Sequence, residues 1–189
     1  DDRSYERFNA KLAGRPDLMG GRTTLVLSDG MAGIMENAFI NVKNTSLDIE
    51  AEVELRGKDR GVIIAQGGKF GGWALYVDEG KPTYTYNWFG LESYTVQSPK
   101  PIKGKRATIK LDFQYDGDGT GKGGVATIFV NGDEVAKGRI DKTQPAVFSA
   151  DETADVGKDE GTQVAPLFKS IDDSDFTGRV NSVAVSIAK

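Results

Sequence analysis

The stretch SLDIEAEVEL, residues 46–55, constrains this chain more than any other. Leu47, Ile49, Ala51, Val53 and Leu55 alternate there with Asp48, Glu50, Glu52 and Glu54. Side chains of an extended strand point to opposite faces with a period of two, so the pattern presents one apolar face and one row of acids. Antiparallel sheets are the ones that keep one face in water, and this strand suits them. RATIKLDFQY repeats the design through Ala107, Ile109, Leu111, Phe113 and Tyr115, and SVAVSI does so through Val183, Val185 and Ile187. GVATIFV runs into Asn131-Gly132 and then DEVAKGRI. Asn-Gly supplies the left-handed backbone of a tight turn, which predicts a β-hairpin. AFINVKN also reads as strand. Only SADETADVGKDEG and the N-terminal SYERFNAKL have room for a turn or two of helix. Strands separated by Gly, Asp and Asn clusters, without helices between them, predict an all-β antiparallel sandwich. Residues 1–21, with Pro16 and Gly20-Gly21 ahead of TTLVLS, read as a connecting arm from a preceding domain, and 22–189 as a single β-sandwich domain.

Composition removes several chemistries. The 189 residues suffice for one domain with a sizeable core. There is no cysteine, which excludes disulfides, thiolate metal sites and cysteine nucleophiles, and no histidine, which removes the commonest general base and zinc ligand. Lys and Arg total 24 against 28 Asp and Glu, a formal charge of -4. A mildly acidic chain lacks the basic footprint of a nucleic-acid binder. No run of about eighteen apolar residues offers a membrane span, and the charged opening DDRSYER is not a signal peptide.

Several segments are candidates for function. GGKFGGW, residues 67–73, has the glycines of a phosphate loop. Its flanks, GVIIAQ and ALYVDEG, continue at strand period, whereas a phosphate loop needs a helix N-terminus directly after it. The expectation is a β–β connection. DGDGTGKGG, residues 116–124, fails as a Walker loop because Gly123 follows Lys122. It begins like a calcium loop but has Thr127 where the twelfth-position acid belongs, so it reads as a long polar hairpin loop. ADETADVGKDEG gathers Asp151, Glu152, Asp155, Asp159 and Glu160. Asp151, Asp155 and Asp159 are candidate calcium ligands, since hard cations take several oxygens on irregular backbone; the alternative is solvated loop surface. Tyr84, Tyr86 and Trp88 share one face of PTYTYNWFG, a stacking platform for a sugar if that face is open and core if it is closed. Lys100, Lys103, Lys105 and Arg106 in KPIKGKR are a candidate anion site, or charges that keep a strand edge from pairing. The acids of residues 48–54 offer the carboxylates that a histidine-free glycoside hydrolase would need, with nothing to set their separation.

ENAFINVKN (36–44), GVIIAQGGKFGGWALYV (61–77), GKPTYTYNWFGLE (80–92) and TQPAVFSADETADVGKDEGTQV (143–164) closely resemble the C-terminal region of large bacterial arylsulfatases. DDRSYERFN resembles the segment leading out of their catalytic domain, and the similarity runs over nearly the whole chain. The resemblance implies a jelly roll of concanavalin A-like, laminin G-like type, placed in the periplasm or outside the cell. It implies a non-catalytic accessory domain that packs against the catalytic sulfatase domain of the same polypeptide. Sulfate-ester hydrolysis in that family belongs to a formylglycine formed in a C/S-x-P-x-R motif, with calcium and a set of Asp, Asn, His and Lys residues. Thr143-Gln144-Pro145-Ala146-Val147 has the proline but neither nucleophile nor arginine, so this chain alone is not expected to turn over an aryl sulfate. A carbohydrate-binding, lectin-like module is the alternative, and an independent glycosidase or lyase comes last.

Overall fold

The computed structural model describes Gly14 and residues 18–187, so SYERFNAKL and most of the expected arm lie outside the described residues. In chain order the strands are β1 (Thr24–Leu27), β2 (Ile34–Met35), β3 (Leu47–Glu54), β4 (Gly61–Gly68), β5 (Gly71–Asp78), β6 (Lys81–Trp88), β7 (Glu92–Gln97), β8 (Arg106–Tyr115), β9 (Gly124–Val130), β10 (Asp133–Ile140), β11 (Thr153–Val156) and β12 (Arg179–Ile187). They form two six-stranded sheets, ordered β1-β12-β3-β8-β9-β10 and β2-β11-β4-β5-β6-β7. Every pairing is antiparallel.

The first sheet follows the alternation. Leu47, Ile49, Ala51 and Val53 pair with Phe113, Leu111, Ile109 and Ala107 of β8, and Ala51 and Ile49 with Val183 and Val185 of β12. All face inward onto Ile64, Trp73, Leu75, Val77, Tyr84 and Val96 of the second sheet. Each Leu, Ile, Val or Phe buried in this way contributes about 1.5–3 kcal/mol. The acids of β3 remain outside, where Asp48 meets Lys110 at 3.2 Å and Glu54 meets Arg106 at 3.1 Å. Asn131-Gly132 makes the β9–β10 hairpin, with both φ angles positive (52° and 90°).

The central strands of the second sheet, β4, β5 and β6, are buried on both faces. Its outer side is covered by the segment ahead of β12, where Val164, Ala165 and Phe168 pack on Val62, Ala65, Ala74 and Tyr76. Phe168 meets the Tyr76 ring edge-on at 5.3 Å, and the Arg60 guanidinium lies 5.0 Å above the Phe168 ring. Arg60 also donates to both carboxylate oxygens of Asp173, at 2.5 and 3.3 Å, which ties the cover to the end of β4. At one side of the sandwich an edge of each sheet meets the other, because a Cβ on Gly138 of β10 would lie 2.6 Å from Val96 of β7.

Two expectations are corrected. AFINVKN is not a strand: the chain crosses here from β2 in the second sheet to β3 in the first. Phe39, Ile40 and Val42 fill the core without a ladder partner. SADETADVGKDEG contains β11 rather than helix, since Ala154, Asp155 and Val156 pair with Gln66, Ala65 and Ile64. The α-helix among the described residues is the single turn Ile171–Ser174, capped by the Ser170 side chain accepting from the Asp173 N–H. No helix among the described residues is long and apolar enough to cross a membrane.

Candidate functional site

The glycine-rich stretch builds one corner of the site. Gly68 pairs with Gly71 and Gly67 with Gly72, which leaves Lys69 and Phe70 as the tip of the β4–β5 hairpin. The neighbouring β6–β7 hairpin closes where the Leu91 N–H donates to the Trp88 carbonyl at 3.0 Å. Phe89 and Gly90 lie between them with φ of 53° and 70°. Two successive left-handed residues make a type I′ turn, a place filled by Asn, Asp or Gly because a side chain there crowds its own carbonyl. Phenylalanine in that conformation costs about 1–2 kcal/mol.

One buried side chain locks the two tips together. Asn87 Oδ1 accepts from the Gly90 N–H at 2.9 Å. Its Nδ2 donates to the Lys69 carbonyl at 2.9 Å and to those of Gly68 and Val164 at 3.3 Å. Gly90 consequently rides against the first tip, where a Cβ would lie 2.8 Å from the Lys69 carbonyl and 3.5 Å from Phe70. The two locked tips carry three protruding apolar side chains, a candidate platform: Phe70 is 67% exposed, Phe89 42% and Leu91 74%. Half-buried Trp88 stands beside them, its ring edge-on to Phe89 at 5.3 Å. Lys142 Nζ lies 4.5 Å above the Trp88 ring and pairs with Glu92 at 2.7 Å. Lys142, and then the Tyr94 hydroxyl donating to Glu92, hold the Glu92 carboxyl below the usual carboxylate range. Loss of solvation, and then the Glu92 carboxylate, push the Tyr94 phenol up to about 12. Exposed rings on a rigid frame can stack on another apolar face, whether of a sugar or of a protein.

The residues singled out from sequence separate into several places. Tyr84 and Tyr86 are 1% and 5% exposed and belong to the core, because their strand face turns toward the first sheet. Burial raises both phenols above their ordinary range. The Tyr86 hydroxyl is occupied by the Gln144 N–H at 2.7 Å. Neither ring is a stacking platform; the two line an interior cleft with room for about one water. Trp88 shares their face but stands at the strand end, on the rim. Lys100, Lys103, Lys105 and Arg106 are exposed around the β7–β8 connection, about 20 Å away along the six residues of β7.

Asp151 is exposed, whereas Asp155 and Asp159 are buried. Asp155 accepts from the Gly33 N–H (2.7 Å), the Glu160 N–H (3.2 Å) and the Thr153 hydroxyl (3.1 Å). Among the described residues no group of three or more acids could hold a metal. The three aspartates therefore do not make the expected calcium site. In the 116–124 loop, Asp116 is taken up by Arg139, and the Tyr115 hydroxyl bridges the Gly119 carbonyl and the Lys122 N–H. Phe70, Phe89 and Leu91 were missed from sequence, although Phe-Gly standing where a hairpin calls for Asn-Gly was a readable signal.

No family model and no curated protein matches the chain. Solved structures do. The CBM40 carbohydrate-binding module of the Ruminococcus gnavus IT-sialidase superposes with a TM-score of 0.55 at 15% identity, over 89% of this chain and 92% of that one. The same module bound to alpha2,6 sialyllactose gives 0.52 at 15%, over 89% and 93%. Domains LG4-5 of the mouse laminin alpha1 chain give 0.52 at 14%, over 90% of this chain and 40% of that one. At these identities the likeness establishes the fold: an antiparallel jelly-roll sandwich of the concanavalin A-like, laminin G-like type. The resemblance to arylsulfatase C-terminal regions has no counterpart among these three.

Proposed function

We propose that this chain is a non-catalytic carbohydrate-binding module that meets its glycan end-on, through the platform of Phe70, Trp88, Phe89 and Leu91. The observation that carries the reading is Phe89, a large ring held in a left-handed turn position and presented to solvent. Turn chemistry alone disfavours it there, and a strained residue of this kind points to a task performed by the ring. The rigid clamp by Asn87 supports the same reading, since a preorganised site loses little entropy on binding. The fold shared with a sialidase's carbohydrate-binding module is a weaker support, because fold alone does not assign function. The variant F89N tests it. Asparagine suits the turn, so stability rises by about 1 kcal/mol, while binding on a glycan array falls at least tenfold. Glycan binding unchanged in a stabilised F89N would remove the platform from the site.

A second reading rests on where the arylsulfatase-like phrases fall. Residues 61–77, 80–92 and 143–164 contain both hairpin tips, the Asn87 clamp, Lys142's neighbour Thr143 and the Gln144 and Glu152 segments beneath them. In that reading the platform packs against a catalytic sulfatase domain and borders its substrate site. The purified chain then shows no turnover of 4-nitrophenyl sulfate, and measurable turnover that purifies with the chain would overturn it.

A further inference from the structure

Resting on the carbohydrate-binding reading, we infer that the sugar held by the platform is a neutral hexopyranose, stacked by its C–H face on Phe70, Phe89 and Leu91, rather than a sialylated or sulfated one. The charges around the two tips cancel. Lys69 stands on the first tip and Lys142 over Trp88. Against them are the carboxylates of Glu92 and Glu152, the latter so close to the foot of the first tip that a Cβ on Gly68 would lie 2.6 Å from it. Lys142 is already engaged by Glu92 at 2.7 Å, so an anion that took its ammonium would displace a carboxylate and meet it as a like charge. Among the described residues no arginine pairs with or stacks on a platform residue. Arg139, on the neighbouring β10, is taken up by Asp116 and Asp141. The guanidinium fork is the side chain suited to bidentate capture of a carboxylate or sulfate, and none of the described residues brings one to the platform. The chain as a whole, at a formal charge of -4, also repels an approaching anion.

The groups that are present suit hydroxyls. Glu92 gives one oxygen to Lys142 and the other to the Tyr94 hydroxyl, and its remaining lone pairs face solvent at the platform's edge. A carboxylate there accepts from sugar O–H groups, and Lys69 donates to them. The three exposed apolar side chains meet the flat C–H face of a pyranose, which an added carboxylate or sulfate would bring no partner.

The test is an array in which lactose-, cellobiose- and mannobiose-based glycans each stand beside a sialylated or sulfated counterpart. It is read with the wild-type chain, F89N and the double variant K103E/K105E. At least one neutral member is expected to bind tenfold or more tightly than its anionic partner, with the signal lost in F89N and kept in K103E/K105E. A preference for the anionic partner that F89N abolishes overturns the neutral assignment and leaves the platform as the binding site. An anionic preference abolished only by K103E/K105E moves the site to the β7–β8 connection and overturns both conclusions. Absence of binding to every glycan does the same.

Discussion

Replacing Gly71 by alanine is expected to lower stability by about 3 kcal/mol. Its φ of 148° is backbone that a side chain strains, and an added Cβ would stand 1.9 Å from Gln144 Oε1. Gln144 can yield only by giving up its own anchors. It is buried, its Nε2 donates to the Val147 carbonyl at 3.1 Å, and its backbone N–H is held by the Tyr86 hydroxyl. Relief requires the 144–148 segment to lift, with Phe148 leaving the core it shares with Tyr86. Gly57 provides the control. Its φ of 139° is comparably unfavourable, yet nothing lies within 4 Å of its missing Cβ. Urea midpoints at unchanged m-value separate the two: G57A reports backbone strain alone, and G71A must exceed it by about 2 kcal/mol. Equal losses would show that Gln144 moves freely.

The second large effect is a dependence of stability on pH. Asp159 is buried. One carboxylate oxygen accepts from the Val164 N–H at 2.7 Å and the other has no hydrogen-bond partner. Burial above all, opposed in part by the Val164 N–H and reinforced by Asp155 and Glu152, pushes this carboxyl up to about 7 from an ordinary 3.8. Between those values the folded chain keeps a proton that the unfolded chain has released. Protonation therefore favours folding at low pH, and stability declines as pH rises from about 4 to about 7 and is flat beyond. At about 1.4 kcal/mol per pH unit, the ceiling on the decline is about 4 kcal/mol. D159N has the shape of the protonated acid and cannot ionise. It should match wild type near pH 3 and exceed it by about 2–4 kcal/mol at pH 8. Subtracting the two profiles removes the exposed carboxylates Glu92, Asp116 and Asp173, which their cationic partners depress in both proteins. A difference that stays flat from pH 4.5 to 8 would mean that Asp159 is solvated.

The sandwich was legible because β3, β8 and β12 each have one wet face, and a wet face writes itself as alternation. β4, β5 and β6 carry no such record, since Val164, Ala165 and Phe168 arrive from about ninety residues away to cover their outer side. Period two told that Tyr84, Tyr86 and Trp88 share a face, but not that the face turns inward and that only the strand end emerges. The acids of residues 150–161 read as calcium ligands or solvated loop surface because composition cannot see the Ile171–Ser174 turn, whose Ser174 hydroxyl receives the Asp159 N–H and helps to bury that carboxylate. The platform itself depends on Asn87 joining two hairpins that are consecutive in sequence but whose tips are brought together only by the sheet.

Protruding side chains can touch only one side of a partner. A cleft surrounds a ligand and strips most of its surface of water, whereas a sugar held as proposed on these hairpin tips would keep its far side hydrated. Little is gained per encounter once the cost of immobilising the sugar is met, so each contact lasts briefly. Useful retention then comes from valency. Several copies tethered along one polypeptide or one surface, or one copy beside another sugar-binding unit, hold a branched or repeating glycan roughly 10²–10⁴-fold longer than a single domain. On the carbohydrate-binding reading proposed above, a site of this shape would respond to the density of sugar ends on a surface as well as to their kind.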